Sequence, residues 1–499
     1  MSNFFRRIFY RCTWLAFYSR RSTYCAGSVR FRSNQHIKKG NSAMVYIENP
    51  KIESSHSRFD ARNDWSQVDS CHLFNPRGFM STPIKPDCHS EALSERSIRQ
   101  WLNENNIEDI EAVIPDMTGI ARGKLIPAHK YSEEVGLRLP EAIFLQTVTG
   151  DYPEDWSAID PADKDIFLKP DIDTFRLVPW TSEPTALVIH DCFYADDSAV
   201  GMSPRHVLKN ILNMYRERGW QPVVAPELEF YLIKPNPDAD YPLEPPIGRS
   251  GRAETGRQSY SIDAVNEFDP LFEDLYDYCE SLEIPLETLI HESGAAQMEV
   301  NLLHGDPLAV ADHAFLLKRT VRETALRHKI YASFMAKPME NEPGSAMHVH
   351  QSVVSTDDGH NIFSGPDDTA SPLFYWHIGG LQRYLPAILS LLAPNINSYR
   401  RIQRYNAAPI NVQWGLDNRT VGLRVPDSTP QSRRVENRVP GADANPYLAI
   451  AASLACGLLG MINRIDPTAP ISGSAYEMPY ELPRSLEQSL IALNECPEL

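Results

Sequence analysis

The chain has 499 residues, of which 42% are hydrophobic and 23% are charged, as in ordinary globular proteins. This length is enough for two or three domains. It contains no run of about 18 apolar residues, which argues against a membrane span. The net charge of −17 argues against a general nucleic-acid-binding protein.

The chain begins with a strongly basic segment. Residues 1–40 hold nine Lys or Arg residues and no Asp or Glu, a composition that resembles a mitochondrial presequence. A disordered basic arm is one alternative. Another is that the given sequence starts too early and that translation truly begins at Met44 or Met80. Residues 41–90 are polar and show little periodicity, so we expect residues 1–90 to form an extension with no catalytic role.

A small α+β domain is predicted over residues 92–200. Residues 94–103 have a helical pattern, and residues 110–114 and 121–127 read as two strands separated by turn-forming residues. A Ser-Pro pair at Ser203 and Pro204 then suits the N-cap and first position of a helix. We therefore place a domain boundary just before Ser203.

The second predicted domain covers residues 203–499. Helical patterns occupy 262–282, 307–328 and 372–390, and an apolar helix over 445–460 is typical of a buried core. Residues 234–258 form a long loop of the kind that is often functional. The chain stops soon after a helical start at Ser485, so a C-terminal truncation is an open alternative. Eight cysteines without a CxxC pair suit reduced thiols in a cytoplasmic protein.

Two carboxylates lie close together in the apolar segment 226–232. Strand side chains alternate between faces, so Glu227 and Glu229 would point the same way. Two like charges at this spacing are costly unless a cation lies between them. A solvent-exposed strand face is the alternative.

Four further segments carry ligand-type or phosphate-binding residues at strand spacing. They are 292–302 (Glu292, Gln297, Glu299, Asn301), 347–352 (His348, His350, Ser352), 420–425 (Arg424) and 434–438 (Arg434, Glu436, Arg438). The economical explanation is one sheet whose polar face lines a cavity. In isolation, His348 could equally be a core histidine, and the arginines could form an ion-paired face.

Carboxylates with one histidine suit Mg²⁺ or Mn²⁺ better than zinc. Five carboxylates exceed the needs of one ion, so two ions are expected, which suits phosphoryl transfer. The candidate ligands are Glu227, Glu229, Glu292, Glu299, His348 and Glu436. Guanidinium groups such as those of Arg419 and Arg424 suit a phosphoryl group or a carboxylate. The sequence contains no P-loop motif.

These segments resemble the glutamine synthetase family over about residues 92–499. The resemblance rests on ordered motifs: DMTGIARGK (116–124), PELEF (226–230), GSAMHVHQS (344–352), NSYRR (397–401), NRTVGLRVP (418–426), RVENR (434–438) and NPY (445–447). It implies an α+β fold with a small β-grasp N-terminal domain and a larger catalytic domain, in which helices surround a curved antiparallel sheet. It also implies a homo-oligomer, a ring-stacked dodecamer, with active sites between neighbouring subunits.

The resemblance also implies roles for single residues. Glu229, Glu292 and Glu299 would hold one metal ion, and Glu227, His348 and Glu436 the other. ATP would lie at His350 and Ser352, with its phosphates facing Arg419, Arg424 and Arg434. L-Glutamate would lie at Gly344, Arg401 and Arg438. The implied chemistry is attack of the glutamate γ-carboxylate on ATP, followed by capture of γ-glutamyl phosphate by a nitrogen nucleophile.

Ala407 departs from the family pattern, because glutamine synthetases place a flap glutamate at this position. Loss of that anion disfavours ammonium, so the chain is more similar to the branch that joins glutamate to putrescine, other polyamines or monoamines. Glu141 of an adjacent subunit is a candidate base for the amine. Pro343 is a second departure, at a position where synthetases often have a glutamate-binding Asn.

Two alternatives remain. The chain could be an ordinary glutamine synthetase that uses ammonia. It could also be an inactive structural or sensor relative, although all six metal positions are intact.

Overall fold

Two β-sheets organise the chain in the computed structural model, which describes residues 95–131, 136–238 and 240–499. The extension predicted over residues 1–90 and the alternative initiators Met44 and Met80 lie outside the described residues. The described part belongs to one compact unit. The predicted domain boundary before Ser203 lies between the two sheets and stays a prediction.

The first sheet is small and mixed. Its elements are α1 (Glu95–Glu104), β1 (Asp109–Pro115), β2 (Ala121–Pro127), β3 (Leu137–Pro140), β4 (Asp165–Pro170), β5 (Arg176–Leu177) and β6 (Thr185–Phe193). The strand order is β2-β1-β6-β4-β3, with β5 paired to β6 and β1 parallel to β6. Ile98 and Leu102 of α1 pack on this sheet against Ile110 and Val188, as in the predicted β-grasp arrangement.

The second sheet has eight strands surrounded by helices. Its elements are α2 (Pro204–Arg216), β7 (Trp220–Ile233), α3 (Ile262–Val265), α4 (Asp269–Ser281), β8 (Leu286–His291), β9 (Gln297–Leu302), α5 (Pro307–Arg327), β10 (Tyr331–Ser333), β11 (Met347–Ser355), α6 (Pro372–Tyr384), α7 (Leu389–Leu392), α8 (Ser398–Arg401), β12 (Trp414–Leu416), β13 (Leu423–Val425), β14 (Val435–Asn437), α9 (Pro446–Asn463) and α10 (Leu486–Glu495). The order is β12-β13-β14-β11-β7-β9-β8, with β10 on β7. Only the β12–β13 pair is parallel.

The register of this sheet confirms that the five polar segments share one face. Glu227 lies opposite His348 on one side and opposite Asn301 on the other. Glu436 lies opposite His350 and Arg424. Directly paired residues of neighbouring strands point to the same side of a sheet, so the polar side chains are gathered by strand pairing alone.

The opposite face of the sheet supplies the main core. Leu228, Phe230, Met298, Val300 and Val349 are buried there with the helices. Polar bonds also join this face to the helices, since Ser453 of α9 donates to Gln351 of β11 at 2.9 Å and accepts from Asn437 of β14 at 2.9 Å. The strands that carry the polar face are therefore held rigidly from behind.

Helix α9 is the one helix in the described ranges that is long and apolar enough to cross a membrane, judged by length and composition. In the structure, 89% of its apolar window is buried within the protein. This burial agrees with its prediction as a core helix.

Several predicted element bounds are wrong. The helix predicted over 262–282 is interrupted by a 3₁₀ turn at Asn266–Phe268. The helix predicted over 372–390 ends at Tyr384, since Pro386 lacks the N–H that would continue it. The strand predicted over 292–302 begins only at Gln297, because a turn with Ala296 at φ 54° precedes it. Strand β8 was not predicted, and Glu292 lies in the turn that follows it.

Candidate functional site

Five of the six predicted metal ligands come together on the polar face. Ligand atoms of Glu227, His348 and Glu436 lie within 4.8 Å of one another, as do those of Glu229, Glu299 and His348. His348 belongs to both groups because its strand, β11, runs between β14 and β7. The face therefore offers two adjoining sets of oxygen and nitrogen ligands. We call these residues the carboxylate–histidine cluster.

Glu292 lies at the rim of this cluster. It occupies the turn between β8 and β9, is partly buried, and its Oε2 accepts a hydrogen bond from the Ser293 N–H at 2.9 Å. It belongs to neither close group, yet its charge helps to raise the pKa of Glu229. The structure thus places the sixth predicted ligand near Glu229 but in neither close group of the cluster.

A histidine pair orients Glu227. His348 Nδ1 lies 3.1 Å from Glu227 Oε2, and His350 Nε2 lies 2.8 Å from Glu227 Oε1. Burial alone would raise the pKa of Glu227, but the hydrogen bonds from His348 and His350 lower it. Arg434 Nε donates to His350 Nδ1 at 3.2 Å, which assigns the His350 proton to Nε2.

The second nitrogen of His348 fits a metal ion. Its Nε2 atom is buried and has no hydrogen-bond partner. With the proton on Nδ1 for Glu227, Nε2 carries a free lone pair, and a neutral imidazole is the form that binds metals. Burial, and then the charge of Arg438, lowers the pKa of His348 to about 4, which favours that neutral form.

The carboxylates of the cluster repel one another strongly. Burial, and then the charge of Glu292, raises the pKa of Glu229 to about 8. Burial, and then the charges of Glu227 and Glu229, raises the pKa of Glu299 to about 10. Oxygen-rich sites with this excess of negative charge suit hard divalent cations. The chemistry of the residues therefore fits Mg²⁺ or Mn²⁺.

Backbone and amide groups hold Glu229 in place. The Ala346 N–H donates to Glu229 Oε2 at 2.8 Å, and Gln297 Nε2 donates to the same atom at 3.2 Å. Gln297 is itself placed beside Tyr231, whose hydroxyl oxygen lies 3.1 Å from Gln297 Oε1 and 2.8 Å from the Pro343 carbonyl oxygen. Tyr231 was not among the residues predicted for the site, although it continues the Glu227–Glu229 alternation.

Two arginines neutralise Glu436. Arg424 Nη1 donates to its Oε2 at 2.8 Å, and Arg438 donates to its Oε1. Burial would raise the pKa of Glu436, but nearby positive charge, chiefly that of Arg438, lowers it to about 2. Arg424 is also paired with Asp417 at 2.6 Å, a partner that the sequence did not reveal. Arg438 Nε is buried without a partner.

The remaining predicted residues occupy different positions. Ser352 follows His350 on the polar side of β11, and Arg419 is exposed in the turn after β12. Arg401 is buried, and its guanidinium donates to the carbonyls of Val439 at 2.8 Å and Arg438 at 3.1 Å. A Cβ added at Gly344 would lie 2.5 Å from Arg401 Cγ, so only glycine fits there.

Two residues predicted to govern the amine lie outside the strands that carry the polar face. Glu141 is buried beside the first sheet, where Tyr194 donates a 2.6 Å hydrogen bond to its Oε1. Ala407 is exposed, with a φ of 58°, in the loop after α8. Neither belongs to the close groups of the cluster in the same chain.

Known proteins with similar sequences belong to the family that the motifs predicted. A family model described as the glutamine synthetase catalytic domain matches residues 201–499. Gamma-glutamylputrescine synthetase PuuA of Escherichia coli (strain K12) is 36% identical over 391 residues, which cover 77% of this chain and 82% of that protein. Glutamate–isopropylamine ligase of Pseudomonas sp is 34% identical over 401 residues, which cover 79% and 86%.

A solved structure of GmaS without ligand has a TM-score of 0.70 and 28% sequence identity to this chain, covering 80% of this chain and 90% of that one. The predicted glutamine synthetase-like fold is therefore confirmed. So is the predicted resemblance, because the family model covers more than half of the chain and the similar proteins named above are ligases and synthetases. The chain belongs to the glutamine synthetase family, and it is a ligase of that family.

Proposed function

We propose that the protein joins the γ-carboxylate of L-glutamate to a primary amine at the expense of ATP, through γ-glutamyl phosphate. The amine would be putrescine, another polyamine or a related amine. The observation that carries the proposal is the carboxylate–histidine cluster beside Arg424 and Arg438. Two similar proteins are named for putrescine and isopropylamine as acceptors, which supports an amine over ammonia.

Two divalent cations are proposed in the cluster. Glu229, Glu299 and Glu292 would hold one, and Glu227, His348 and Glu436 the other. When bound, such ions neutralise charge on a transferring phosphoryl group. The closeness of the two ligand sets supports this assignment.

The nucleotide and glutamate are proposed to lie on either side of the cluster. His350, Ser352, Arg419, Arg424 and Arg434 would contact ATP. The guanidinium groups among them would stabilise negative charge as the phosphoryl group moves. Arg434 is already oriented by its bond to His350.

Glutamate would be held by three residues on the opposite side. Arg438 offers an unpartnered buried Nε–H to a carboxylate, and Arg401 fixes the Arg438 main chain through a 3.1 Å hydrogen bond. Gly344 leaves the necessary space, since a side chain there would collide with Arg401.

The acceptor amine is proposed to enter near Ala407. An alkylamine arrives protonated, since its pKa is near ~10, so a base must remove a proton before attack. Glu141 of an adjacent subunit is the proposed base, in a homo-oligomeric ring assembly. The ring assembly and a cytoplasmic location stay predictions.

Phosphate release tests the proposal directly. The protein would be assayed with ATP, L-glutamate and Mg²⁺, together with putrescine, isopropylamine or ammonium in separate reactions. We expect an amine to give the highest kcat/KM. If ammonium at low concentration outperforms every amine, the protein is a glutamine synthetase instead. Absence of Mn²⁺ binding would support the inactive relative.

A further inference from the structure

Asn301 completes the polar face on the side away from the histidines. It lies on β9, two residues after Glu299 and directly opposite Glu227. Paired strand residues have Cβ atoms about 5 Å apart, so Asn301, Glu227, Glu229 and Glu299 form a group of four neighbouring side chains on the polar face. Asn301 is the one member of this group that is not a carboxylic acid.

The amide oxygen of Asn301 is buried and has no hydrogen-bond partner. Leaving such a buried acceptor unsatisfied destabilises the protein, because the oxygen loses its bonds to water and gains none in return. With a divalent cation bound, Glu227, Glu229 and Glu299 would all be ionised. Ionised carboxylates can only accept hydrogen bonds, so none of the three would then supply the missing donor. The opposite neighbour on β8, Thr288, is exposed. A molecule bound at the cluster would therefore supply the hydrogen-bond donor that Asn301 Oδ1 lacks.

We propose that Asn301 is a positioning residue whose Oδ1 accepts a hydrogen bond from a water molecule bound to a divalent cation in the cluster. This inference rests on the proposed function, because it requires the cluster to bind that cation. An amide suits this place, since a further carboxylate would add repulsion to the neighbouring Glu227 and Glu299. Partners of this kind orient ligands and commonly account for 10–100-fold in metal affinity.

The test is a Mn²⁺ titration of the full-length protein, with free Mn²⁺ measured by electron paramagnetic resonance. Asn301→Leu removes the acceptor while keeping a similar volume, and we expect Mn²⁺ to bind about 10–100-fold more weakly. Asn301→Asp keeps an acceptor at the same place and should bind Mn²⁺ at least as tightly as the wild type. Thr288→Val, on the paired strand, is the matched control and should bind like the wild type.

The outcomes separate the inference from the proposed function. If the wild type itself binds no Mn²⁺, the proposed function fails. If the wild type binds Mn²⁺ and Asn301→Leu binds it equally well, the inference is overturned. A raised KM for the amine with unchanged Mn²⁺ affinity also overturns it and makes Asn301 a substrate contact. Should Asn301→Leu not fold, Asn301→Ser, which withdraws the acceptor, must show the same weaker binding.

Discussion

At the scale of single residues, the protonation of Glu229 and Glu299 determines how the site responds to pH. Both have pKa values raised well above the ordinary 4.5, chiefly by burial. In the metal-free protein they keep their protons at neutral pH, while the unfolded chain loses them. Raising the pH from about 4.5 towards the folded-state pKa values of about 8 and about 10 therefore destabilises the metal-free protein.

A divalent cation must displace those protons, so its affinity should increase with pH. We expect Mn²⁺ to raise the Tm more at pH 8 than at pH 6, measured by differential scanning calorimetry. Glu299→Gln should lose most of this difference and should leave the metal-free protein more stable at pH 8. An equal Mn²⁺-induced shift at both pH values would contradict the prediction.

Ala407 is the second residue whose chemistry can be tested alone. It already has a Cβ at a φ of 58° and is exposed, so a longer side chain adds little strain. We expect Ala407→Glu to raise kcat/KM for ammonium and to lower it for putrescine, each by roughly tenfold, because a carboxylate stabilises a small cation nearby.

Ala407→Gln is the matched neutral control for that experiment. It has nearly the same size as Glu, so an equal change in both variants would show that volume, not charge, decides the preference for the acceptor.

At the scale of elements, close packing of α6 on α9 holds the sheet from behind. A Cβ on Gly460 would lie 2.1 Å from the Trp376 carbonyl oxygen and 2.5 Å from Gly380 Cα. The contacted atoms are backbone and cannot rotate away. The two helices therefore approach each other as closely as they do because glycines face each other.

Gly460→Ala should lower the free energy of unfolding by about 1–3 kcal/mol through overpacking, measured by urea denaturation. Gly473→Ala is the control, since nothing lies within 4 Å of its added Cβ, and it should change stability by less than about 0.5 kcal/mol. Equal stability of the two variants would refute the close approach of α6 and α9.

At the scale of the whole molecule, a buried arginine joins the two sheets. Arg205 of α2 pairs with Asp171 at 2.7 Å and Asp191 at 2.9 Å, both in or beside the first sheet. It also pairs with Asp312 of α5 at 2.8 Å, and Tyr447 of α9 donates to that carboxylate at 2.6 Å. One guanidinium thus satisfies carboxylates from both halves of the described chain.

Arg205→Ala should destabilise the protein by about 3–5 kcal/mol, because it leaves buried carboxylates without a counter-charge. Chemical denaturation followed by fluorescence would measure this. Arg216→Ala, at the exposed end of the same helix, should change stability by less than about 0.5 kcal/mol. A small effect at Arg205 would mean that the sheets are held together by other contacts.

The sequence by itself determined which face each cluster residue occupies. Strand alternation is local, so the spacing of Glu227 and Glu229, or of His348 and His350, was enough to predict a shared polar face. The ordered motifs also identified the family. Helix and turn bounds were less predictable where a proline or a left-handed residue intervened, as at Pro386 and Ala296.

Only the tertiary structure decided which of these residues meet. Strand order, set by contacts between distant segments, places His348 between Glu227 and Glu436 and leaves Glu292 at the rim. The pairing of Arg424 with Asp417 and the joining of two sheets through Arg205 likewise depend on segments far apart in the chain. Strand alternation predicts which face of the sheet a side chain occupies. Strand register and packing decide which residues that side chain meets on neighbouring strands.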